Sequence, residues 1–310
     1  MPYFAEELGD VAILFAVVLA AGFVAGKAGL LSKASKAGMT NLVLYVTLPC
    51  TIIMSFRIEY DSSLIRGFAL TLLVAGVSQA IGQAASVIFF RKQPFEHRSV
   101  LRYGFIVCNS AFFGIAVISS VLHRIALPFA AIYLIPQRIA MWLLGVPVFS
   151  NDNQNRLKVV AQALVHPSMI AVYIGLFLFL QQIQFPAAIA APIGAIGACT
   201  MPVSMILVGS ILSDIKPSLL LDRYIYFYCM IRVVLIPGII FLFCLVIGLN
   251  GAPFHVCVLM AAMPAASTTS LLALQYGADE RLGSALLIIS TIIFFVMLPV
   301  WMFLFSLVPS

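Results

Sequence analysis

Ten long apolar stretches run through this chain and constrain its fold more than any other feature. Their predicted bounds are residues 9–26, 34–56, 64–90, 99–122, 126–149, 157–182, 188–213, 220–248, 253–276 and 282–306. The chain is 63% hydrophobic and only 9% charged, so it lacks the polar surface that a soluble domain of this length needs. A membrane-crossing helix takes roughly 20 apolar residues, whereas a membrane barrel would show shorter, alternating segments. The sequence therefore predicts an all-α polytopic membrane protein with ten transmembrane helices.

Lysine and arginine are distributed unevenly over the loops between these stretches. One set of loops carries Lys27, Lys33, Lys36, Arg91, Lys92, Arg98, Arg102, Arg156, Lys158, Lys216, Arg223 and Arg281. The opposite set carries only Arg57, Arg66 and Arg124. Because basic loops stay in the cytoplasm, we expect a multi-pass plasma-membrane protein (inner membrane in a bacterium) with both termini outside the cytoplasm. The net charge of +6 is then a topology signal, and the expected partner is the lipid bilayer, not a nucleic acid.

The two halves of the chain each contain five apolar stretches. A polar loop at 151–156 separates a first half, 1–150, from a second half, 157–310. Five crossings reverse the orientation of the second half, so a duplicated unit forms an inverted repeat. Thr47-Leu48-Pro49 and Thr200-Met201-Pro202 occupy corresponding positions in the halves. Because proline removes a backbone donor and disturbs the preceding turn, we expect helix breaks at Pro49 and Pro202.

The fourth and ninth stretches carry polar, helix-weakening segments near their middle. The fourth contains Asn109-Ser110-Ala111 and Gly114, and the ninth contains Met263-Pro264-Ala265-Ala266-Ser267-Thr268-Thr269-Ser270. If both helices break at the membrane midplane, their ends meet there, and the N-terminal ends expose backbone donors and partial positive charge that favour an anion. The alternative, that the proline kinks one helix and the hydroxyls serve helix packing, stays open at this point.

Six motifs in order resemble the auxin efflux carrier family over essentially the whole chain. They are Gly26-Lys27-Ala28-Gly29-Leu30-Leu31-Ser32 with Leu42-Val43-Leu44-Tyr45-Val46-Thr47-Leu48-Pro49, Cys108-Asn109-Ser110-Ala111-Phe112-Phe113-Gly114-Ile115, His166-Pro167-Ser168-Met169-Ile170-Ala171, Met201-Pro202-Val203-Ser204-Met205-Ile206-Leu207-Val208-Gly209, Met263-Pro264-Ala265-Ala266-Ser267-Thr268-Thr269 and Ala273-Leu274-Gln275-Tyr276-Gly277. The short central loop is similar to that of prokaryotic-type members.

This resemblance implies ten helices in two inverted five-helix repeats, with a scaffold part and a transport part. It also implies a secondary carrier that moves a small organic anion, such as a mono- or dicarboxylate, by an alternating-access, elevator-type mechanism. The implied substrate-binding residues, where helices four and nine break and cross, are Asn109, Ser110, Gly114, Pro264, Ser267, Thr268 and Thr269. The chain has Ala116 where the family usually has proline, so we expect Gly114 to supply flexibility there.

Two arginines inside the stretches, Arg138 and Arg232, are candidate counter-charges for the anion. The competing interpretation is that they reach the interface or bind backbone carbonyls at a kink. All 11 carboxylates lie in loops or at stretch ends, which favours a carrier without a carboxylate-bound proton or sodium ion. Sodium could still bind carbonyls and hydroxyls, so a Na⁺-coupled organic-anion symporter of a related fold remains the alternative.

The cysteine spacing and the lack of hydrolase and metalloprotease motifs predict neither an enzyme nor a metalloprotein. The six cysteines lie within the apolar stretches without CxxC spacing, which is typical of small buried residues. No Gly-x-Ser-x-Gly or His-Glu-x-x-His signature occurs in the sequence. We therefore expect no catalytic residue, no metal and no cofactor. Whether the chain forms a homodimer stays open.

Overall fold

The computed structural model describes residues 2–122, 124–149, 164–183, 185–213 and 222–308. Nearly all of these residues are helical, and none of them forms a strand, although one isolated β-bridge joins Cys108 to Ala265. The all-helical class is thus confirmed, as expected for runs that are apolar on every side. The connecting loop predicted at 151–156 lies outside the described residues.

The α-helices are numbered here in chain order. They are α1 (Pro2–Lys27), α2 (Lys33–Leu42), α3 (Leu48–Ser55), α4 (Ser62–Phe90), α5 (Phe95–Ile106), α6 (Ile115–Val121), α7 (Leu127–Ala140), α8 (Pro167–Gln181), α9 (Ala187–Ala198), α10 (Thr200–Leu212), α11 (Arg223–Cys229), α12 (Ile236–Val246), α13 (Gly251–Ala261), α14 (Thr268–Gln275) and α15 (Glu280–Ser306). Wider π-helical turns lie at Val43–Thr47, Ser110–Gly114, Met141–Gly145 and Met230–Leu235, and 3₁₀ turns at Arg124–Ala126 and Val146–Val148.

Six helical segments of the described chain are long and apolar enough to cross a membrane. They are Ala34–Ser55, Leu64–Phe90, Leu127–Gly145, Ala187–Leu212, Arg223–Val246 and Glu280–Ser306. Four shorter apolar helices, Ala16–Lys27, Ser110–Val121, Pro167–Gln181 and Gly251–Ala261, overlap the other predicted stretches. These segments agree with a multi-pass membrane protein by length and composition, while the count of ten spans and the inverted repeat stay predictions.

The contacts divide the chain into two compact units, each of which takes segments from both halves of the sequence. Unit 1 comprises Met1–Ser62, Ala111–Ala131 and Pro167–Asp214, and unit 2 comprises Ser63–Ser110, Ile132–His166 and Ile215–Ser310. This is a grouping by contact. The division into repeats at 1–150 and 157–310 is a different one and stays a prediction.

Within unit 1, helices α1 and α10 approach each other closely because glycines face the partner backbone. A Cβ atom at Gly22 would lie 2.2 Å from the carbonyl oxygen of Ile206, and one at Gly209 would lie 2.1 Å from that of Leu19. Small residues permit such backbone contact between apolar helices, where burial of apolar surface drives little association. The contact therefore depends on the lack of a side chain at these positions.

Within unit 2, aromatic side chains pack helices α4, α5 and α11 together. The Phe105 ring lies 4.8 Å from the Tyr228 ring and 5.4 Å from the Phe90 ring, measured between centroids. All three side chains are fully buried, and such ring pairs contribute about 0.5–1.5 kcal/mol beyond their burial. This cluster holds α5 against α11 just before the point where α5 ends.

The predicted breaks at Pro49 and Pro202 are local changes in helical hydrogen bonding, without unwound segments. Pro49 lies in the first turn of α3, directly after the π-helical turn Val43–Thr47. Pro202 lies in the first turn of α10, after Cys199, whose φ of −70° is itself helical. The preceding residues are helical in both cases, so each proline lies inside a continuous helical segment, Ala34–Ser55 or Ala187–Leu212, where it removes one backbone donor. The true interruptions lie in the fourth and ninth predicted stretches.

Candidate functional site

The fourth stretch is interrupted between residues 107 and 109. Helix α5 ends at Ile106, and Val107 is extended, with φ −122° and ψ 112°. Helical structure resumes at Ser110. No proline lies here, but Val107 is β-branched and Asn109 has a side-chain amide that competes for backbone bonds, so both weaken a helix. Gly114, expected to supply flexibility, has an ordinary helical φ of −63°, so the interruption precedes it.

The ninth stretch is interrupted between residues 262 and 267. Helix α13 ends at Ala261, and α14 begins at Thr268. Pro264 has no N–H for the carbonyl of residue 260 and its ring clashes with the preceding turn, so a continuous helix is disfavoured there. This leaves carbonyl groups of α13 and N–H groups of the following residues without helical partners.

The two interruptions meet and exchange backbone contacts; residues 107–109 and 262–267 together are called the crossover from here on. Cys108 and Ala265 form an antiparallel β-bridge. The N–H of Asn109 donates to the carbonyl oxygen of Pro264 at 2.8 Å. Both segments belong to unit 2, and the bridge satisfies part of the backbone that the missing helical turns would have satisfied.

Side chains from neighbouring helices satisfy the backbone groups at the edges of the crossover. Arg232 donates from Nη1 to the carbonyl oxygen of Ala261 at 3.0 Å, at the end of α13. The N–H of Ala265, which would bond Ala261 in an unbroken helix, donates instead to Ser290 Oγ at 3.1 Å. One cation and one hydroxyl thus replace a single lost helical hydrogen bond.

The end of α5 is supported in the same way. The Tyr228 hydroxyl donates to the carbonyl oxygen of Gly104 at 2.8 Å, and Gln137 Nε2 donates to that of Cys108 at 2.5 Å. Tyr228 and Arg232 are four residues apart and so share one helix face. A single face therefore holds both interrupted helices at their C-terminal ends.

Three buried polar side chains at the crossover keep unused hydrogen-bonding atoms. Asn109 is 2% exposed, and neither its Oδ1 nor its Nδ2 has a partner among the described residues. Thr269 Oγ1, in the first turn of α14, and Gln137 Oε1 also lack one there. A buried polar atom without a partner costs about 1–3 kcal/mol, so these atoms are suited to a polar ligand.

Two buried arginines belong to the same unit as the crossover. Arg232 is 3% exposed, and its Nη1 is engaged by the end of α13 while its Nε has no partner in the described chain. Arg138 is 8% exposed, contacts Met141 Sδ at 3.8 Å and interacts electrostatically with Tyr103. Arg232 thus places its positive charge at the C-terminus of α13, where the helix dipole favours a cation. Contact of either arginine with a substrate stays a prediction.

The other predicted site residues divide between the two units. Ser110 lies at the crossover, with Oγ 2.9 Å from Cys108 Sγ, and Thr268 Oγ1 lies 2.9 Å from the Tyr103 hydroxyl. Ser267 ends the interruption, and its carbonyl accepts from Ser270 Oγ at 3.1 Å. Gly114, Pro49 and Pro202 belong to unit 1.

Sequence reasoning missed Tyr228 and Ser290 as supports of the crossover. Both lie in apolar stretches that are otherwise read as ordinary spans. The feature that could have identified them is a hydroxyl group inside an apolar helix. Such a hydroxyl often hydrogen-bonds a backbone group of a neighbouring helix. In the described chain no group of three or more His, Cys, Asp or Glu side chains is placed to hold a metal ion.

The described helices and the crossover define a polytopic membrane protein built around two interrupted helices. A family model for membrane transport proteins matches residues 8–159 and 153–302. The chain belongs to this family of auxin efflux carrier-like membrane transport proteins. It is also similar to an uncharacterized transporter of Methanothermobacter thermautotrophicus, with 22% identity over 294 residues that cover 92% of this chain and 94% of that protein. The expectation of a transporter is thereby confirmed.

Proposed function

We propose that the protein is a secondary carrier for a small organic anion, a mono- or dicarboxylate, and that it works by alternating access of elevator type. The observation that carries this proposal lies at the crossover. The buried side-chain amide of Asn109 has no hydrogen-bond partner there among the described residues. Amide, hydroxyl and backbone N–H donors at the ends of broken membrane helices suit a carboxylate.

The buried charge of unit 2 supports a negatively charged substrate. Arg232 is buried, donates to the Ala261 carbonyl, and interacts with the neutral side chains of Cys108 and Tyr228. A buried cation at the crossover, with no carboxylate partner among the described residues, attracts an anion and repels a second cation. We propose that the anion contacts residues drawn from Asn109, Ser110, Gly114, Pro264, Ser267, Thr268, Thr269, Arg138 and Arg232.

The same proposal includes the topology that the sequence predicts. Ten spans form two inverted repeats, 1–150 and 157–310, in the plasma membrane with both termini outside the cytoplasm. The four shorter apolar helices are compatible with this count, because two of them, Ser110–Val121 and Gly251–Ala261, are halves of the interrupted fourth and ninth spans. In an elevator mechanism the crossover moves together with its bound anion, so the groups that support it travel with it.

Uptake into proteoliposomes tests the proposal. Labelled mono- and dicarboxylates, a neutral sugar and an organic cation are supplied with and without an inward Na⁺ gradient. We expect uptake of at least one carboxylate at a rate independent of Na⁺. Uptake that requires Na⁺ would establish the competing Na⁺-coupled symporter. Uptake of only the cation or the sugar would contradict the anion assignment.

A matched pair of variants ties that uptake to the crossover. Asn109→Leu removes the unpartnered amide, and a desolvated carboxylate that loses such a donor loses about 1.5–3 kcal/mol, or roughly tenfold to hundredfold in affinity. Asn41→Leu makes the same chemical change at an exposed position in α2 and should leave uptake unchanged. Equal uptake by both variants would show that the crossover amide does not bind substrate.

A further inference from the structure

Unit 1 contains a cavity of its own, with a volume of about 500 Å³. Its walls come from the end of α3 and the residues after it, from α6, from the start of α7, and from α9 and α10. None of the crossover residues lines it. The volume falls within the 300–1,000 Å³ range of pockets that hold small molecules, so the cavity is large enough for a ligand.

Most of the cavity wall is apolar. Met54, Ile115 and Leu127 line it together with Gly194. A Cβ atom at Gly194 would meet the Met54 Cε at 3.6 Å, an ordinary contact, so this position opens space without holding helices in close approach. The cavity therefore offers apolar surface to a ligand body and can be filled by a larger side chain at position 194.

A small polar patch interrupts this apolar wall. Thr51 Oγ1 lies 2.8 Å from Thr200 Oγ1 and 2.8 Å from the carbonyl oxygen of Gly197, and it also contacts the carbonyl of Thr47 at 3.1 Å. The Thr51 hydroxyl proton can serve one of these acceptors at a time. The Thr200 hydroxyl can then point its proton either to Thr51 or into the cavity.

The charge of the lining is positive. Arg57 contributes a cation at the exposed side of the cavity, and the described lining includes no carboxylate. Glu59 lies near Arg57 around a second cavity of about 120 Å³, but no ion pair joins Arg57 to a carboxylate of the described chain. The Arg57 guanidinium is thus available to an anionic group.

We propose that this cavity is a second binding site, for an amphiphilic anion whose acidic head meets Arg57 and whose apolar body lies against Met54, Ile115 and Leu127. The charge and the apolar wall together select this class. A small hydrophilic dicarboxylate leaves the wall uncovered, and a neutral hydrocarbon leaves Arg57 unused. A free fatty carboxylate and the acidic head of a membrane lipid share this chemistry. The proposal does not depend on what the crossover transports.

Protection of an introduced thiol tests the site without any transport measurement. Ser119 lines the cavity and is half-buried, so Ser119→Cys is prepared with Cys50→Ala and Cys199→Ala, which remove the accessible native thiols. The full chain is placed in phosphatidylcholine nanodiscs, and its maleimide labelling rate is measured with octanoate, 1-octanol or acetate. Octanoate at about ten times its Kd should slow labelling about tenfold, because roughly a tenth of the sites stay empty. Octanol and acetate at the same concentration should have little effect.

Two variants, with one control, separate the contribution of the Arg57 charge from that of the cavity shape. Arg57→Gln should weaken octanoate protection by about two- to fivefold, the effect expected for an exposed ionic contact. Arg66→Gln, at an exposed arginine outside the cavity, should not. Gly194→Leu should fill the cavity and abolish protection, while an unchanged thermal unfolding temperature shows that the fold is kept.

A further arm distinguishes the two sources of the anion. In nanodiscs that contain phosphatidylglycerol, labelling is measured without octanoate. Slow labelling of the Ser119→Cys protein that becomes fast again in Arg57→Gln would identify a lipid head as the ligand. Fast labelling in these nanodiscs would identify a free amphiphilic carboxylate, not a lipid, as the ligand. Equal protection by octanol and octanoate, or none by either octanoate or phosphatidylglycerol, would overturn the proposal.

Discussion

Replacing Arg232 by methionine separates the electrostatic role of this residue from a structural one. Placing an arginine in the membrane interior costs about 2.5–3.5 kcal/mol, which Arg232→Met relieves. The variant loses the hydrogen bond to the Ala261 carbonyl, worth about 1.5–3 kcal/mol for a charged donor. The two terms nearly cancel, and methionine fills much of the vacated volume. We therefore expect stability to change by less than about 2 kcal/mol, or a few degrees in unfolding temperature.

Binding of an anion should change much more than stability. For an anion roughly 8 Å from the guanidinium, the attraction is about 2 kcal/mol at an effective dielectric constant of 20, or about 30-fold in affinity. Arg232→Lys keeps the positive charge and an N–H donor group, so it should restore most of this affinity. Arg223→Met removes an exposed arginine of the same helix and serves as the control.

The assay measures Kd of the best-transported carboxylate by equilibrium binding to the purified protein in nanodiscs, with thermal unfolding in parallel. The expected pattern is a large loss of affinity for Arg232→Met, recovery in Arg232→Lys and no change in Arg223→Met. Wild-type affinity in Arg232→Met would refute the reasoning and leave Arg232 as a support of α13 alone. Tighter binding of the carboxylate would contradict an attraction between the Arg232 charge and the ligand.

Four further experiments test the anionic substrate, the interruption at Pro264, the contact of α1 with α10, and the orientation in the membrane. Asn109→Asp should bind a carboxylate at least as weakly as Asn109→Leu, because it opposes two negative charges; equal or better binding than wild type would contradict an anionic substrate. Pro264→Ala should restore helical bonding and strongly reduce uptake while the protein still reaches the membrane, which surface labelling checks; unchanged uptake would make the proline a simple kink. Gly22→Ala should lower the unfolding temperature, because its Cβ would lie 2.2 Å from a carbonyl oxygen of α10; an unchanged temperature would mean that α1 can move at no cost. An impermeant thiol reagent added outside should label Val308→Cys and not Asn153→Cys, and the reverse would overturn the predicted orientation.

The sequence predicted the interrupted helices because their cause is local. Pro264 blocks a helical hydrogen bond wherever it stands, and Asn109 carries a polar side chain within an apolar run. The exact position of the first interruption was harder to predict. Gly114 was expected to supply the flexibility, but its φ is helical and the interruption precedes it. A glycine permits a bend without requiring one, and the surrounding contacts decide.

The supports of the crossover could not be predicted because they are contacts between distant parts of the chain. Ser290 bonds the backbone of Ala265, and Tyr228 bonds that of Gly104. Their sequence separations, 25 and 124 residues, carry no periodic signal. The role of Arg232 was left open between counter-charge and carbonyl partner. The structure shows the carbonyl contact, and the substrate contact awaits the binding assay.

The glycine contact between α1 and α10 also has a consequence for how the protein is made. Gly22 and Ile206, which meet across it, are 184 positions apart, so α1 enters the membrane long before its partner is synthesised. At about 5–20 residues per second, α10 follows roughly 10–40 s later. During that time the glycine face of α1 lies against lipid or against an insertion factor. Slowed translation between the two helices should therefore lengthen the period in which the nascent protein is open to degradation.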